Sequence, residues 1–254
     1  MATILITGAS RGLGLAFVKQ LASLPSSKVS KIFATTRTDS SALNELSETS
    51  SGRVIPVTLD ITSRESIKAA AEEVEKILGS DAGLDILINN AGVCNYVSDG
   101  VKSMDTLEQD LGVNVLGVHW VTAGFFPLLQ RGGMKKVVNL STTLGSITLA
   151  KDMAAYPCPS YKISKAALNA LTVQWALDYE KEGFTFVAVS PGWLKTDLGG
   201  GEMADLTAEQ GAKATLDIVF NKGREMNGKF AKIYIEGWES AGYAHLYDGT
   251  DSPW

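Results

Sequence analysis

Thr3-Ile4-Leu5-Ile6-Thr7-Gly8-Ala9-Ser10-Arg11-Gly12-Leu13-Gly14 is the stretch on which the fold turns. An apolar, β-branched run leads straight into three glycines spaced Gly-x3-Gly-x-Gly, and an amphipathic pattern begins at Leu13. In that setting the first glycine permits a tight turn and the second lets the backbone approach a pyrophosphate. The third lets a helix pack closely on a strand, and the free amides of the helix N-terminus face the phosphates. Glycine trios also serve turns that hold no ligand. Its place between a first strand and a first helix makes this one a candidate dinucleotide cradle, with Gly8, Ser10, Arg11, Gly12, Leu13 and Gly14 against the ligand.

Outward from the cradle, the same alternation continues. Residues 3–7, 31–36, 54–58, 84–89, 136–140, 185–190 and 230–235 read as strands. Helical patterns fill 13–24, 40–46, 64–78, part of 104–130, 161–182 and 207–220, the third of them capped by Thr62 or Ser63 with Glu65 in its first turn. Strands that are apolar on both faces and separated by helices predict a parallel sheet covered on each side. With right-handed crossovers this becomes an α/β, Rossmann-like, doubly wound sheet of about seven strands with helices on both faces. There is no internal repeat and no low-complexity linker, so residues 1–254 read as one domain that both binds and reacts. Gly199-Gly200-Gly201 is expected to be a flexible loop within it.

Composition limits the partners. The 254 residues carry 23 basic and 28 acidic side chains, net −5, with 45% apolar and 20% charged residues. That is a globular composition, and the absence of a basic cluster argues against nucleic acid. Cys94 and Cys158 are the only cysteines, and His119 and His245 the only histidines. Neither set has metal-ligand spacing, so no metal is expected, and a reducing, cytoplasmic location fits. The start runs directly into the first strand, and no signal peptide is expected. Residues 111–130 carry no formal charge and have the length of a membrane span, but Asn114, His119, Pro127, Gln130 and three glycines interrupt them. They read instead as a helix buried on more than one face, with a subunit contact on one of them.

The second strand ends Phe33-Ala34-Thr35-Thr36-Arg37. An acidic residue there would hold a free ribose 2′-hydroxyl. Arg37, helped by Arg11, suits a 2′-phosphate instead, which a guanidinium grips bidentately, and this favours NADP(H) over NAD(H). Tyr161 and Lys165 lie at i and i+4 on a helix, and an ammonium beside a phenol favours the phenolate. The pair could transfer a proton, although Tyr-x3-Lys is also common in ordinary helices.

Taken in order, Thr7-Gly8-x3-Gly12-x-Gly14, Asn89-Asn90-Ala91-Gly92, Asn114, Asn139-Leu140-Ser141-Thr142, Tyr161-x3-Lys165 and Pro191-Gly192 resemble the short-chain dehydrogenase/reductase family over essentially the whole chain. The resemblance implies an NADP-dependent oxidoreductase acting on a small-molecule carbonyl. Tyr161 would donate the proton, Lys165 would lower its pKa and hold the nicotinamide ribose, and Asn114 would anchor a relay water. Asp60, with Ile61 beside it, would meet the adenine, and Asn90, Ala91 and Gly92 would pass its ribose. Pro191, Gly192, Trp193, Leu194 and Thr196 would border the other half of the cofactor. It also implies a homodimer or homotetramer built on the two helices that include 111–130 and 161–182.

The family's substrate-orienting serine falls on Thr142, which keeps a hydroxyl, with Ser141 and Thr143 as alternates. The gap from Thr142 to Tyr161 is longer than usual, which predicts a rim loop over residues 151–159. Pro191-Gly192-Trp193-Leu194-Lys195-Thr196-Asp197 and the ending Tyr247–Trp254 look like the subgroup of sniffer-type carbonyl reductases, C-factor-like proteins and norsolorinic acid ketoreductase, suggesting a ketone, aldehyde or quinone-like substrate in secondary metabolism. Cys94 and Cys158 are placed on the substrate side, or are small core filler. Tyr96, Trp193, Trp238 and Tyr243 line the pocket or the core, and His245 invites a catalytic reading that the proton chemistry does not need. The rival reading is an NADP(H)-binding sensor with little turnover.

Overall fold

A computed structural model describes residues 1–97, 99–240 and 245–254. Seven parallel strands form one sheet in the order β3-β2-β1-β4-β5-β6-β7. They are β1 (Ala2–Ile6), β2 (Val29–Thr36), β3 (Val54–Thr58), β4 (Ile86–Asn89), β5 (Lys136–Leu140), β6 (Thr185–Ser190) and β7 (Lys229–Lys232). Alternation along each central strand sends its side chains to two separate cores. Ile4, Ile6, Ile86, Ile88, Val138, Val187 and Val189 meet α1 (Gly12–Ser23), α2 (Ser41–Thr49) and α7 (Ala208–Asn221). Leu5, Leu87, Val137 and Phe186 meet α3 (Arg64–Leu78), α5 (Val118–Arg131) and α6 (Pro159–Tyr179). Each such fully buried side chain contributes about 1.5–3 kcal/mol, which explains why these strands carry almost no polar positions.

Several of the polar exceptions are paired, although Thr35 Oγ1 and Asn89 Oδ1 are buried without a partner among the described residues. Asn89 donates to Asn139 Oδ1 (2.9 Å) and Thr122 Oγ1 (3.1 Å), and Asn139 donates to Thr172 Oγ1 (2.9 Å), so one buried amide ladder ties β4 and β5 to α5 and α6. Buried Lys136 donates to the carbonyls of Val219 (2.6 Å) and Lys222 (2.7 Å), satisfying the C-terminal end of α7.

Two expectations are revised. The uncharged helix begins as α4 (Leu107–Leu111), widens into a π-helical turn (Gly112–Gly117) and continues as α5. It is buried along one stripe only, Val118, Val121, Thr122, Phe125, Leu128 and Leu129, while Leu116, Ala123, Gly124 and Pro127 are exposed. Beside its open face His119, Phe126, Trp175, Tyr179 and Phe184 form an aromatic cluster. The last strand stops at Lys232, and the tail runs antiparallel along it and the residues that follow, bridging Ala231 to Asp251 and Tyr234 to Asp248.

Candidate active site

The strand order reverses between β1 and β4, so the segments leaving their C-terminal ends run to opposite faces and open a cleft between them. Gly8 (φ +66°) sits at this point, and a β-carbon there would lie 2.9 Å from Ala91 Cα. One on Gly14 would lie 2.2 Å from the Gly8 carbonyl oxygen and 2.7 Å from Asn90 Nδ2. Asn90 staples the two loops, donating through Nδ2 to the carbonyls of Thr7 (2.9 Å) and Gly8 (3.0 Å), while Thr7 Oγ1 accepts from the amides of Asn90 and Ala91. Thr196 closes the cradle from the far side, its methyl 3.3 Å from where a β-carbon on Gly12 would stand.

The cleft encloses about 780 Å³. Gly8, Ser10, Arg11, Gly12, Leu13, Gly14, Arg37, Asp60, Ile61, Asn90, Ala91 and Gly92 border one half of it. The other half is bordered by Cys94, Tyr96, Ser141, Thr142, Tyr161, Lys165, Pro191, Gly192, Trp193, Leu194 and Thr196. Exposed Arg37 lies beside Asp60, whose carboxylate accepts from the amide (2.9 Å) and hydroxyl (2.7 Å) of Thr62. Those two hydrogen bonds, and secondarily the Arg37 charge, hold its pKa below the usual carboxylate value. Arg11 does not join Arg37. It pairs with Asp197 across the cleft mouth at 3.1 Å, with both side chains largely in solvent, a contact of about 0–1 kcal/mol that a stronger anion can displace.

Tyr161 and Lys165 project from α6 with 7% and 5% exposure. Lys165 Nζ donates to the Leu140 carbonyl (2.7 Å) and lies 5.6 Å from the Tyr161 ring centre. Burial lowers the Lys165 ammonium to about 8 and raises the Tyr161 phenol well above its ordinary value. Burial thus works on the tyrosine against the lowering expected of the lysine. The phenol holds its proton at neutral pH.

The hydroxyls after β5 divide by direction. Ser141 donates to Asn169 Oδ1 (2.6 Å) and is 4% exposed. Thr142 borders the cleft, and its Oγ1 accepts from the Leu144 amide at 3.3 Å. Gly145 lets this turn press on α6, where a β-carbon would lie 2.8 Å from the Lys165 backbone. Asn114 stands in the π-helical turn, fully buried, a kind of distortion that often marks functional sites. Its amide donates to the Val93 carbonyl and Ser164 Oγ (both 2.9 Å) and accepts from the Val93 amide (3.0 Å), so the side chain stands behind the cleft wall. Cys158, at the residue preceding α6, likewise lies behind the wall at 1% exposure, whereas Cys94 borders the cleft.

A family model described as short chain dehydrogenase matches residues 2–207. This chain belongs to that family. Short-chain dehydrogenase/reductase AacuF of Aspergillus aculeatus is 37% identical over 259 residues, covering 90% of this chain and 95% of AacuF. The NADPH-bound carbonyl reductase from chicken fatty liver superposes with a TM-score of 0.84 at 29% identity, covering 100% of this chain and 99% of that one. Carbonyl reductase Sniffer of D. melanogaster gives a TM-score of 0.85 at 28% identity with full coverage of both chains.

Other residues of this dehydrogenase bordering the cleft escaped the motif reading. Leu144, Met153, Tyr156, Leu246 and Tyr247 line its substrate end. Trp193 stands edge-on to Tyr156 and donates through Nε1 to the Gly199 carbonyl (2.6 Å). Its amide donates to Tyr247 Oη (3.1 Å), and Tyr247 in turn donates to Asp205 Oδ2 (2.5 Å), which also pairs with His245 Nδ1 (2.7 Å). His245 is thus placed beneath the Trp193 loop and has no separate catalytic setting. Trp238 packs on Tyr247 at the core edge, and Tyr243 lies outside the described residues. The glycine run is a hydrogen-bonded turn in which the amides of Gly199 and Gly201 both donate to the Thr196 carbonyl.

Proposed function

We propose that this dehydrogenase is an NADP(H)-dependent carbonyl reductase acting on a ketone, aldehyde or quinone-like carbonyl. The observation that carries the reading is a buried phenol on the same cleft as a glycine cradle too tight for a β-carbon. Gly8, Gly12 and Gly14 would take the pyrophosphate, Arg37 the 2′-phosphate, Asp60 and Ile61 the adenine side, and Lys165 the nicotinamide ribose. When bound, NADPH supplies the hydride. Thr142 Oγ1 would orient the carbonyl oxygen, and Tyr161 Oη would give it a proton. Lys165, held against Leu140, would stabilise the phenolate left behind. Ser141 supports the turn through Asn169 and Asn114 supports Val93, so their part is positioning. Aromatic walls from Tyr96, Tyr156 and Trp193 favour flat, unsaturated carbonyls. A place in secondary metabolism belongs to the same reading, and the half-buried aromatic cluster beside α5 and α6, with exposed Leu116 and Leu177 nearby in sequence, supports a homodimer or homotetramer.

The test is NADPH oxidation followed by absorbance against aromatic ketones, quinones and aldehydes. Binding without oxidation across the panel would favour the sensor reading and overturn this one.

Arg37→Asp should weaken NADPH by roughly ten- to a hundredfold, the value of a charge-assisted hydrogen bond of about 1.5–3 kcal/mol, and leave NADH little changed. Equal losses in a fluorescence titration of both cofactors would contradict a 2′-phosphate contact at Arg37.

Lys165 predicts a pH dependence of stability. Its native pKa of about 8 lies below the usual lysine value, so below pH 8 the fold bears the cost of a buried charge, and the cost is relieved between pH 8 and about 10. Relative to Lys165→Met, the cofactor-free protein should gain stability over that window, on the order of 3 kcal/mol, in denaturant titrations. A difference between the two proteins that does not change with pH would refute this.

A further inference from the structure

Thr106, Asp110 and Asn114 recur at four-residue intervals along α4 and the turns that flank it, and each ties that helix to a different part of the site. Thr106 Oγ1 lies 3.0 Å from Ser160 Oγ at the start of α6, and Asn114 holds Val93 and Ser164. Between them, Asp110 Oδ1 accepts from Asn95 Nδ2 at 2.5 Å. Asn95 stands between Cys94 and Tyr96, both of which border the cleft. This stretch has no regular secondary structure. Its backbone is tied to Asn114 at Val93, and at Val97 the amide donates to the Pro157 carbonyl (2.9 Å). The Asn95 bond to Asp110 falls midway between those two ties.

The setting of Asp110 is a costly one. At 0% exposure it is the one fully buried carboxylate among the described residues, and its Oδ2 has no hydrogen-bond partner among them. A buried polar oxygen without a partner costs free energy. What a carboxylate adds over an amide or hydroxyl oxygen is a stronger acceptor, so the position favours a firm hold on Asn95 over an easy burial. Tyr96 needs such a hold, since its own side chain is 57% exposed and has little packing to fix it. We propose that Asp110 is a positioning residue for the carbonyl pocket, fixing through Asn95 the Cys94–Tyr96 wall against which the substrate binds. Tyr161 on α6, Thr142 after β5 and the glycine cradle after β1 are carried by other elements, so release of the wall should weaken substrate binding and spare the chemical step. The effect on turnover rests on the carbonyl-reductase reading; the holding of the wall does not.

The experiment follows NADPH oxidation and backbone amide exchange in the full-length protein and in Asp110→Ala, Asn95→Ala, the two alanines together, and the exchanged pair Asp110→Asn with Asn95→Asp. Either alanine should raise KM for an aromatic ketone roughly tenfold and leave kcat and NADPH affinity within about threefold, since one strong hydrogen bond is lost away from the reacting atoms. Amides of residues 94–97 should exchange faster by roughly the same factor. Both alanines delete the same bond, so the double variant should be no worse than either. The exchanged pair keeps an amide-to-carboxylate bond with donor and acceptor reversed, and it should bring KM and exchange back to within about threefold of the unaltered protein. Asn95→Ala, at a half-buried loop position, decides the matter if Asp110→Ala does not fold. An unchanged KM in Asn95→Ala, losses that multiply in the double variant, NADPH affinity falling as far as substrate affinity, or an exchanged pair no better than the alanines would each overturn the proposal. Faster exchange with an unchanged KM would put the wall out of the substrate's reach and overturn it as well. If the unaltered protein oxidised NADPH with no carbonyl at all, the reductase reading would fail, while amide exchange would still decide whether Asp110 holds the wall.

Discussion

Tyr161→Phe is expected to lower kcat/KM for carbonyl reduction by about 10²–10⁴, the range supplied by a positioned general acid. The substitution keeps the ring that fills the buried site and deletes only Oη. The Lys165 bond to Leu140 has no stake in that oxygen, so the cleft should keep its shape and NADPH affinity should stay within a few fold. Single-turnover NADPH oxidation alongside a fluorescence titration separates the two quantities. A variant that kept most of its rate would move the proton donor to another phenol on the cleft, Tyr96, Tyr156 or Tyr247. Tyr247 is the weakest of these, since its proton is given to Asp205.

Gly14→Ala should be among the most damaging small substitutions in the chain. A methyl there meets a backbone carbonyl at 2.2 Å and an amide nitrogen at 2.7 Å, and that amide already holds both Thr7 and Gly8. Neither neighbour is the free end of a flexible side chain. Relief requires α1 to lift from β1 or the Asn90 staple to break, at a cost of about 3 kcal/mol or more. A fall in Tm of roughly 6–12 °C is expected for a chain of this size. NADPH affinity should drop with it, because the same staple shapes the phosphate cradle. Gly112→Ala is the control, since an added methyl there meets nothing within 4 Å. Equal thermal midpoints for the two variants would show that close packing at Gly14 is unimportant.

The fold was legible in the sequence because its signals are local. β-Branched runs, helical spacing and the glycine trio each act over a few residues, and together they mark the succession of strands and helices and the cradle after β1; the sheet order and the meeting of Gly8 with Ala91 come from the structure. The residues bordering the cleft were mostly legible for the same reason. What was not legible depends on contacts made across the chain. The Arg11–Asp197 pair and the approach of Tyr247 to Trp193 leave no trace in spacing. Nor does the upward pull on the Tyr161 pKa, since it comes from burial and an i, i+4 pattern records only adjacency.

The Asp205 network bears on how this dehydrogenase could be re-engineered. Trp193 is braced by Tyr247 from the tail, and Tyr247 is braced by Asp205 from the segment before α7. The shape of the substrate end is therefore a joint property of side chains far apart in sequence, and their substitutions should be epistatic. Libraries that vary Trp193, Asp205 and Tyr247 one at a time would mostly sample broken braces. Varying the three together would sample new pockets.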